Sequence, residues 1–218
     1  MGRLQAVLFD MDGTLIDSEK VWFVAEAQLM AELGWPGEWG QEHQHELVGS
    51  SITRTIEYMM AITGPVADPA VVAQRLLDIT EELLSLQVPM MPGAKELLTQ
   101  VSDSGLPTAL VTSTGRKLVE HVLDGIGREH FTITLAGDEV TNPKPDPEPY
   151  LTAARILGVD PAGCVALEDS PTGVASAEGA GCVTVAIPSV APIPRAPGRT
   201  VLTSLTQIDF AGLAALIP

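Results

Sequence analysis

Basic residues, aromatic residues and cysteines are all scarce in this chain. The 218 residues include 12 Lys and Arg against 28 Asp and Glu, which gives a formal net charge of −16. Because nucleic acids and anionic membrane surfaces bind clusters of Lys and Arg, we expect neither of them as a partner. Aromatic residues make up 4% of a chain that is 45% hydrophobic. This balance is typical of an α/β protein with an aliphatic core.

Long apolar runs are also missing. Cys164 and Cys182 each open a β-branched apolar run, so we interpret both as buried hydrophobic residues and predict neither a disulfide framework nor a metal site from them. No apolar run reaches transmembrane length, and no basic segment precedes an apolar stretch near the N terminus. These absences predict a soluble protein in a reducing, cytoplasmic setting.

The pattern of apolar residues divides the chain into two regions. Residues 17–87 contain helix caps, helical periodicity and no convincing strand, which predicts an inserted all-helical domain. Residues 1–16 and 88–218 alternate short apolar strands with helices, which predicts a parallel sheet with right-handed crossovers. The predicted fold class is therefore α/β, with a Rossmann-like three-layer core and the helical insert. The predicted strands are 4–8, 107–111, 132–135, 164–167 and 182–187, and a surface loop is predicted over 188–197.

Two aspartates at the end of the first predicted strand carry the clearest chemical signal. Asp10 and Asp12 stand in the sequence DMDGT, directly after the apolar run. Residues i and i+2 point to the same side of an extended chain, so both carboxylates can face one reacting centre. A buried carboxylate costs free energy unless a partner compensates it. The pair therefore indicates a nucleophilic carboxylate beside a general acid/base, with a cation that holds both.

Three further polar clusters follow later strands. Thr112-Ser113-Thr114 offers hydroxyl groups after one strand, Lys144 lies between two prolines after the next, and Glu168-Asp169 follow another. Ligands of open α/β sheets bind at the carboxyl ends of the strands, so we expect these side chains at one edge. Four carboxylates at that edge would repel one another, and a Mg²⁺ ion with oxygen ligands would relieve the repulsion. Together, these groups suit phosphoryl transfer.

Each cluster also has a structural interpretation when it is taken singly. Thr112 can cap the helix that follows it, a single lysine is usually solvated, and Glu168 can be a structural hydrogen-bond acceptor. We interpret Asp138-Glu139 as a structural turn. We interpret His43 and His45 as solvent-exposed residues, because no third metal ligand lies near them in the sequence.

The four clusters, in this order, resemble the haloacid dehalogenase (HAD) superfamily, and specifically its phosphatases with a helical cap inserted after the first motif. The resemblance implies that Asp10 is the nucleophile that forms an aspartyl-phosphate, and that Asp12 is the general acid/base. It implies that Thr112, the Ser113 backbone and Lys144 hold the phosphoryl group. The Mg²⁺ ligands that it implies are Asp10, the Asp12 carbonyl and Asp169, with Glu168 either a ligand or a group behind the ligands.

The same resemblance gives residues 17–87 the role of a cap, which closes over the core, excludes water and recognises a small phosphorylated metabolite such as a sugar, polyol or glycolate phosphate. Gly49 and Ser50 lie in a segment that resembles the cap specificity loop of the family. The alternatives are a β-phosphoglucomutase-like phosphomutase and a non-catalytic binding protein with this fold. The mutase pattern has a His and an Arg where this chain has Trp22 and Ile52. We expect a monomer or a weak dimer.

Overall fold

The computed structural model describes residues 2–47, 50–189 and 191–218. The chain forms two compact units. The core unit comprises Met1–Asp17 and Pro89–Pro218, and the helical unit comprises Ser18–Val88. Within the described ranges, no helix combines the length and the apolar character needed to cross a membrane.

The core unit is built on a parallel sheet. In the described residues the strands lie in the order β3-β2-β1-β4-β5-β6, and every neighbouring pair is parallel. The central strands β1 and β4 are buried along their whole length, as expected for a parallel sheet that is covered on both faces. The α/β, Rossmann-like fold is thereby confirmed. The strands are Ala6–Phe9 (β1), Thr108–Val111 (β2), Ile133–Leu135 (β3), Cys164–Glu168 (β4), Val183–Ala186 (β5) and Arg199–Val201 (β6).

Helices follow most of these strands along the chain, and local capping explains where several of them begin. Helix α8 begins at Pro171 because the Ser170 hydroxyl accepts a hydrogen bond from the Gly173 backbone N–H and proline suits the first helical position. Asp209 caps α9 in the same way. The helices of the core unit are Ala94–Asp103 (α5), Arg116–Ile126 (α6), Glu148–Leu157 (α7), Pro171–Gly179 (α8) and Phe210–Ala215 (α9).

The strand order fixes where a ligand can bind. From β1 the chain builds the sheet outward through β2 and β3, and it then returns to place β4 on the other side of β1. Crossovers therefore leave β1 and β4 in opposite directions, which opens a crevice beyond their carboxyl ends. Asp10 directly follows β1, and Glu168 is the last residue of β4.

The predicted surface loop over 188–197 contains no helix or strand in its described residues, but one of its side chains is buried. Ile193 is buried against Val174 and Ala186, and the strand β6 that follows this segment was not predicted. Its sequence, Arg-Thr-Val, is short and half-buried. An edge strand of this kind lacks the continuous apolar run that identifies the central strands.

The helical unit packs its helices around an apolar core of its own. The core contains Leu29, Met59, Leu76 and Ile79. Asp68 caps α4 through the Ala70 backbone N–H, with proline at the first helical position. The helices are Ser18–Glu32 (α1), Gln41–Leu47 (α2), Ile52–Thr63 (α3) and Pro69–Leu86 (α4).

His43 is largely buried in this unit, contrary to the prediction that it is exposed. Its ring stacks on Trp39 with 4.4 Å between centroids, and its Nδ1 lies 2.9 Å from the Tyr58 hydroxyl. The sequence around it is polar, and the aromatic partner lies four residues earlier in a segment without helical periodicity. Tertiary packing, and not the local sequence pattern, therefore determines that His43 is buried.

Glu26 is a buried acid in the helical unit. Its side chain lies in α1, the residue is 6% exposed, and the Trp39 indole N–H donates to its Oε2 at 3.2 Å. Burial raises the pKa of Glu26 from 4.5 to about 7; the hydrogen bond from Trp39 opposes this shift and the charge of Glu19 adds to it. The folded protein therefore binds this proton more tightly than the unfolded chain does. The contribution of Glu26 to stability is most favourable below about pH 4.5 and declines as the pH rises towards 7.

We expect Glu26→Gln to stabilise the helical unit at pH 8 by about 2–3 kcal/mol, and by much less at pH 5. The amide keeps an acceptor for Trp39 and carries no charge. All three tryptophans, Trp22, Trp35 and Trp39, lie in the helical unit, so the tryptophan fluorescence of urea unfolding reports on this unit. Glu57→Gln, which changes an exposed acid of α3, is the matched control. A gain that is equal at both pH values would contradict the prediction.

Candidate active site

Asp10 lies at the centre of the crevice. Its backbone N–H donates to the Leu167 carbonyl of β4 at 3.0 Å, and the residue is 6% exposed. Its Oδ1 accepts a hydrogen bond from Lys144 at 2.8 Å. Its Oδ2 is buried and has no hydrogen-bond partner among the described residues. A buried carboxylate oxygen without a partner is costly, so Oδ2 marks a place where a bound group belongs.

Lys144 is the counter-ion of this crevice. Its side chain is 5% exposed, and Nζ donates to Asp10 Oδ1 at 2.8 Å, to Glu168 Oε1 at 2.6 Å and to the Val111 carbonyl at 2.9 Å. Burial alone would lower the pKa of Lys144, but the charges of Asp10 and Glu168 outweigh burial and raise it. The ammonium group is therefore charged, and each of its three N–H donors has an acceptor.

Glu168 supports Lys144 from the far side. It is completely buried, and its Oε1 also accepts a hydrogen bond from the Tyr150 hydroxyl at 2.5 Å. The Tyr150 ring lies beside Lys144, with Nζ 5.2 Å from its centroid. Burial and the charge of Asp10 raise the pKa of Glu168, whereas its contacts with Lys144 and Tyr150 lower it. A side chain at Gly173 would overlap the Glu168 carboxylate, so a glycine is required at that point of α8.

Asp169 completes a cluster of acids. It is half-buried, and the Ser189 hydroxyl donates to its Oδ2. Burial and the charge of Asp10 raise the pKa of Asp169. Asp10, Glu168 and Asp169 each place one carboxylate oxygen within 4.8 Å of the others. Since the donors are carboxylate oxygens and one of them lacks a partner, the cluster fits a hard divalent cation such as Mg²⁺.

Asp12 makes a different set of contacts. Its side chain is half-buried, and its Oδ2 accepts hydrogen bonds from Thr114 Oγ1 at 2.7 Å and from Thr112 Oγ1 at 3.3 Å. The backbone N–H of Thr114 donates to Thr112 Oγ1 at 3.0 Å. The two aspartates of the first motif thus have separate surroundings, because a buried lysine contacts one and a pair of hydroxyl groups contacts the other.

Most of the residues predicted for the site lie together in the core unit. Asp10, Lys144, Glu168 and Asp169 form one cluster, and Asp12 contacts Thr112. Ser113 lies between the two threonines and is exposed. In the helical unit, Ser50 lines a cavity of about 130 Å³ together with Glu19, Trp22 and Glu26, and Gly49 lies outside the described residues.

Thr114, Tyr150 and Ser189 also contact residues of the site, and the sequence predicted no individual role for any of them. Thr114 belongs to the predicted hydroxyl cluster, and its spacing of two residues from Thr112 was a usable signal. Tyr150 gave no such signal, because it lies at helical spacing from the buried Ala153 and Ala154 and its sequence position is that of an ordinary core residue.

Comparison with known proteins agrees with this geometry. The sequence profile of the haloacid dehalogenase-like hydrolase family matches residues 7–187. The chain belongs to this family. The match begins in β1 and extends just beyond β5, so it includes every residue of the cluster around Asp10.

Individual relatives of this haloacid dehalogenase-like hydrolase cover nearly its whole length. It is 33% identical over 219 residues to hexitol phosphatase B of Escherichia coli strain K12, which covers 98% of this chain and 96% of the relative. It is 33% identical over 199 residues to protein CbbY of Rhodobacter capsulatus, and this alignment covers 86% of this chain and 86% of the relative. The crystal structure of CbbY from Rhodobacter sphaeroides in complex with phosphate superposes with a TM-score of 0.78 at 29% identity, covering 96% of this chain and 99% of that one.

We expect Mg²⁺ to raise the melting temperature of this hydrolase, because a bound cation relieves the repulsion among the three acids and stabilises the folded state by mass action. Asp169→Asn removes one ligand and one charge. Its Mg²⁺-induced shift should be less than half that of the wild type, and without metal it should melt above the wild type. Scanning calorimetry with Mg²⁺ titrated at constant ionic strength measures both quantities. Asp103→Asn, at an exposed position of α5, should behave as the wild type, and an equal shift in Asp169→Asn would contradict the assignment.

Proposed function

We propose that this protein is a Mg²⁺-dependent phosphatase that hydrolyses the phosphomonoester of a small sugar, polyol or glycolate through an aspartyl-phosphate on Asp10. The observation that carries the proposal is the environment of the Asp10 carboxylate: Lys144 binds one oxygen, and the other is buried and has no hydrogen-bond partner among the residues that the structure describes. Membership of a hydrolase family and a relative named hexitol phosphatase B support it.

In the first step, a carboxylate oxygen of Asp10 attacks the phosphorus atom of the ester. The bond between phosphorus and the leaving oxygen breaks, the electron pair stays on that oxygen, and Asp12 supplies the proton that it needs. Lys144 keeps the attacking carboxylate in one orientation, which avoids an entropic cost at the moment of reaction. The products of this step are an alcohol and the acyl phosphate of Asp10.

In the second step, Asp12 accepts a proton from water as the water oxygen attacks phosphorus. The bond between phosphorus and the Asp10 oxygen breaks, which regenerates the carboxylate and releases inorganic phosphate. Asp12 is suited to both proton transfers because hydroxyl groups contact it, whereas Lys144 contacts Asp10.

The phosphoryl group needs donors that do not react with it. We assign this role to the Thr112 hydroxyl, the Ser113 backbone and Lys144. Ser113 follows β2 at the start of the turn that leads into α6, where backbone N–H groups are available to an anion. Asp10, the Asp12 carbonyl and Asp169 would hold Mg²⁺, and Glu168 is assigned mainly to holding Lys144. When bound, the ion supplies positive charge to the developing phosphoryl oxygens.

A phosphomutase is the rival enzyme class, and two positions of the helical unit argue against it. Trp22 and Ile52 occupy the places of the His and the Arg in the mutase pattern, and both pack against the apolar core of the unit. Neither can donate a charged hydrogen bond to a second phosphate group. The non-catalytic alternative is disfavoured because the set of acids, hydroxyl groups and lysine is complete.

The proposed substrate is a small metabolite, and the helical unit is proposed as the cap that selects it, with Gly49 and Ser50 in its specificity loop. Charge supports a small-molecule substrate over a nucleic acid, because the net charge is −16 and a polyanion would be repelled. We also propose that the protein acts in the cytoplasm as a monomer or weak dimer.

We expect Asp10→Asn to reduce phosphate release by roughly three orders of magnitude or more, because an amide cannot act as the nucleophile. Inorganic phosphate is measured with sugar, polyol, glycolate and nucleotide monophosphates, with Mg²⁺ and with chelator. Asp103→Asn is the control and should retain the wild-type rate. Wild-type turnover in Asp10→Asn would disprove the covalent mechanism. Isomerised sugar phosphate without phosphate release would identify a mutase.

Asp12→Ala should bind substrate with little change and lose about 10² to 10⁴ in rate, which is the usual contribution of general acid/base catalysis. The loss should be greatest for alkyl esters, whose leaving oxygen needs a proton. Single-turnover kinetics of a polyol phosphate separates binding from chemistry. A near-normal rate with an alkyl ester would refute the role of Asp12.

A further inference from the structure

We propose that Thr114 is a positioning residue of this hydrolase, which holds the general acid/base Asp12 while Thr112 turns to the phosphoryl group. The proposal rests on the function proposed above and adds a residue to its mechanism. Thr114 lies in the turn between β2 and α6, and its side chain is half-buried.

The two threonines bind the same oxygen with unequal distances. Thr114 Oγ1 lies 2.7 Å from Asp12 Oδ2, whereas Thr112 Oγ1 lies 3.3 Å from it. Hydrogen bonds between hydroxyl groups and carboxylates are shortest and strongest below about 2.7 Å and weaken with distance. Thr114 therefore makes the stronger hydrogen bond to Asp12. Thr112 makes the weaker one, which it can give up in order to donate to a phosphoryl oxygen.

Thr112 cannot serve two acceptors at once. A threonine hydroxyl carries one proton. In this structure the Thr112 hydroxyl donates to Asp12 Oδ2 and accepts a hydrogen bond from the Thr114 backbone N–H. When Thr112 donates to a phosphoryl oxygen instead, its hydrogen bond to Asp12 is lost. Thr114 is then the hydroxyl group that keeps Asp12 in place.

The backbone around Thr114 is fixed independently of Asp12. The Gly137 N–H donates to the Thr114 carbonyl at 2.9 Å, and a side chain at Gly137 would overlap the Ser113 backbone. Asp138 accepts a hydrogen bond from the Arg116 backbone N–H at 3.0 Å and so holds the start of α6. The segment Asp138-Glu139 is thus the structural turn that the sequence predicts. A hydroxyl group on this rigid turn can orient a partner without a large loss of entropy.

A carboxyl group that is held in one orientation delivers its proton in one direction, which is the requirement for protonating a leaving oxygen at a fixed place. The contact from Thr114 to Asp12 Oδ2 should therefore matter most for esters whose leaving oxygen needs a proton.

The test compares two esters of nearly equal shape. Phenyl phosphate and p-nitrophenyl phosphate differ in how strongly the leaving oxygen depends on a proton, because p-nitrophenoxide leaves readily without one. We expect Thr114→Val to lower kcat/KM for phenyl phosphate about tenfold and for p-nitrophenyl phosphate less than about twofold. Thr114→Ser keeps the hydroxyl group and should restore most of the loss. Thr99→Val is the matched control, since the Thr99 hydroxyl only donates to the Lys95 carbonyl within α5.

Several outcomes would overturn the proposal. An equal loss with both esters would show a structural effect, and no loss with phenyl phosphate would show that Thr114 is dispensable. If the wild type releases no phosphate with Mg²⁺ from either ester or from the sugar, polyol and glycolate phosphates, the proposed function fails. Crystal structures of wild type and Thr114→Val then decide the positioning claim alone. A displaced Asp12 carboxylate in the variant would support it, and an unmoved one would overturn it.

Discussion

The core unit depends on one buried ammonium group. Lys144 follows β3, yet its Nζ donates to Asp10 after β1, to Glu168 at the end of β4 and to the last carbonyl of β2. Without this cation, two carboxylates would lie in a desolvated crevice with no opposite charge, at a cost of several kcal/mol for each ion. The ends of three strands are therefore coupled to the loop after β3 through a single side chain, and the position of that loop is set by electrostatics as much as by packing.

The need to bury Glu168 beside Lys144 also explains the identity of residues that take no part in the chemistry. The Glu168 carboxylate can be fully buried only because Tyr150 donates to it and because the first turn of α8 has a glycine, Gly173, where a side chain would overlap it. Ser170 caps that turn and Pro171 opens it. The start of α8 is thus determined by two requirements at once, the usual capping of a helix and the space that a buried acid needs beside the lysine.

The sequence predicted the parts of the structure that local patterns determine. Buried strands such as β1 and β4 are continuous apolar runs, and caps such as Asp68-Pro69 mark where helices begin, so the α/β fold could be inferred from them. The order of the polar clusters was enough to expect Asp10, Lys144 and Asp169 at one edge, because parallel strands end together.

The remaining features depend on contacts distant in sequence. Strand β6 pairs at the edge and has no apolar run, His43 contacts the Tyr58 hydroxyl of another helix, and Tyr150 faces an acid from another element. None of these partners is visible in a local window.

Charge also explains why an acidic protein can bind a phosphate ester. The chain carries a net charge of −16, and a phosphate dianion that approached three bare carboxylates would be strongly repelled. Lys144 offsets the charge of one of the three acids Asp10, Glu168 and Asp169, and a divalent cation would offset the other two. In the proposed mechanism the metal is therefore needed for binding as well as for chemistry. Because Asp10, Thr112 and Glu168 are buried, a few donors such as Thr112 and the Ser113 backbone would hold the dianion more strongly than they could in water.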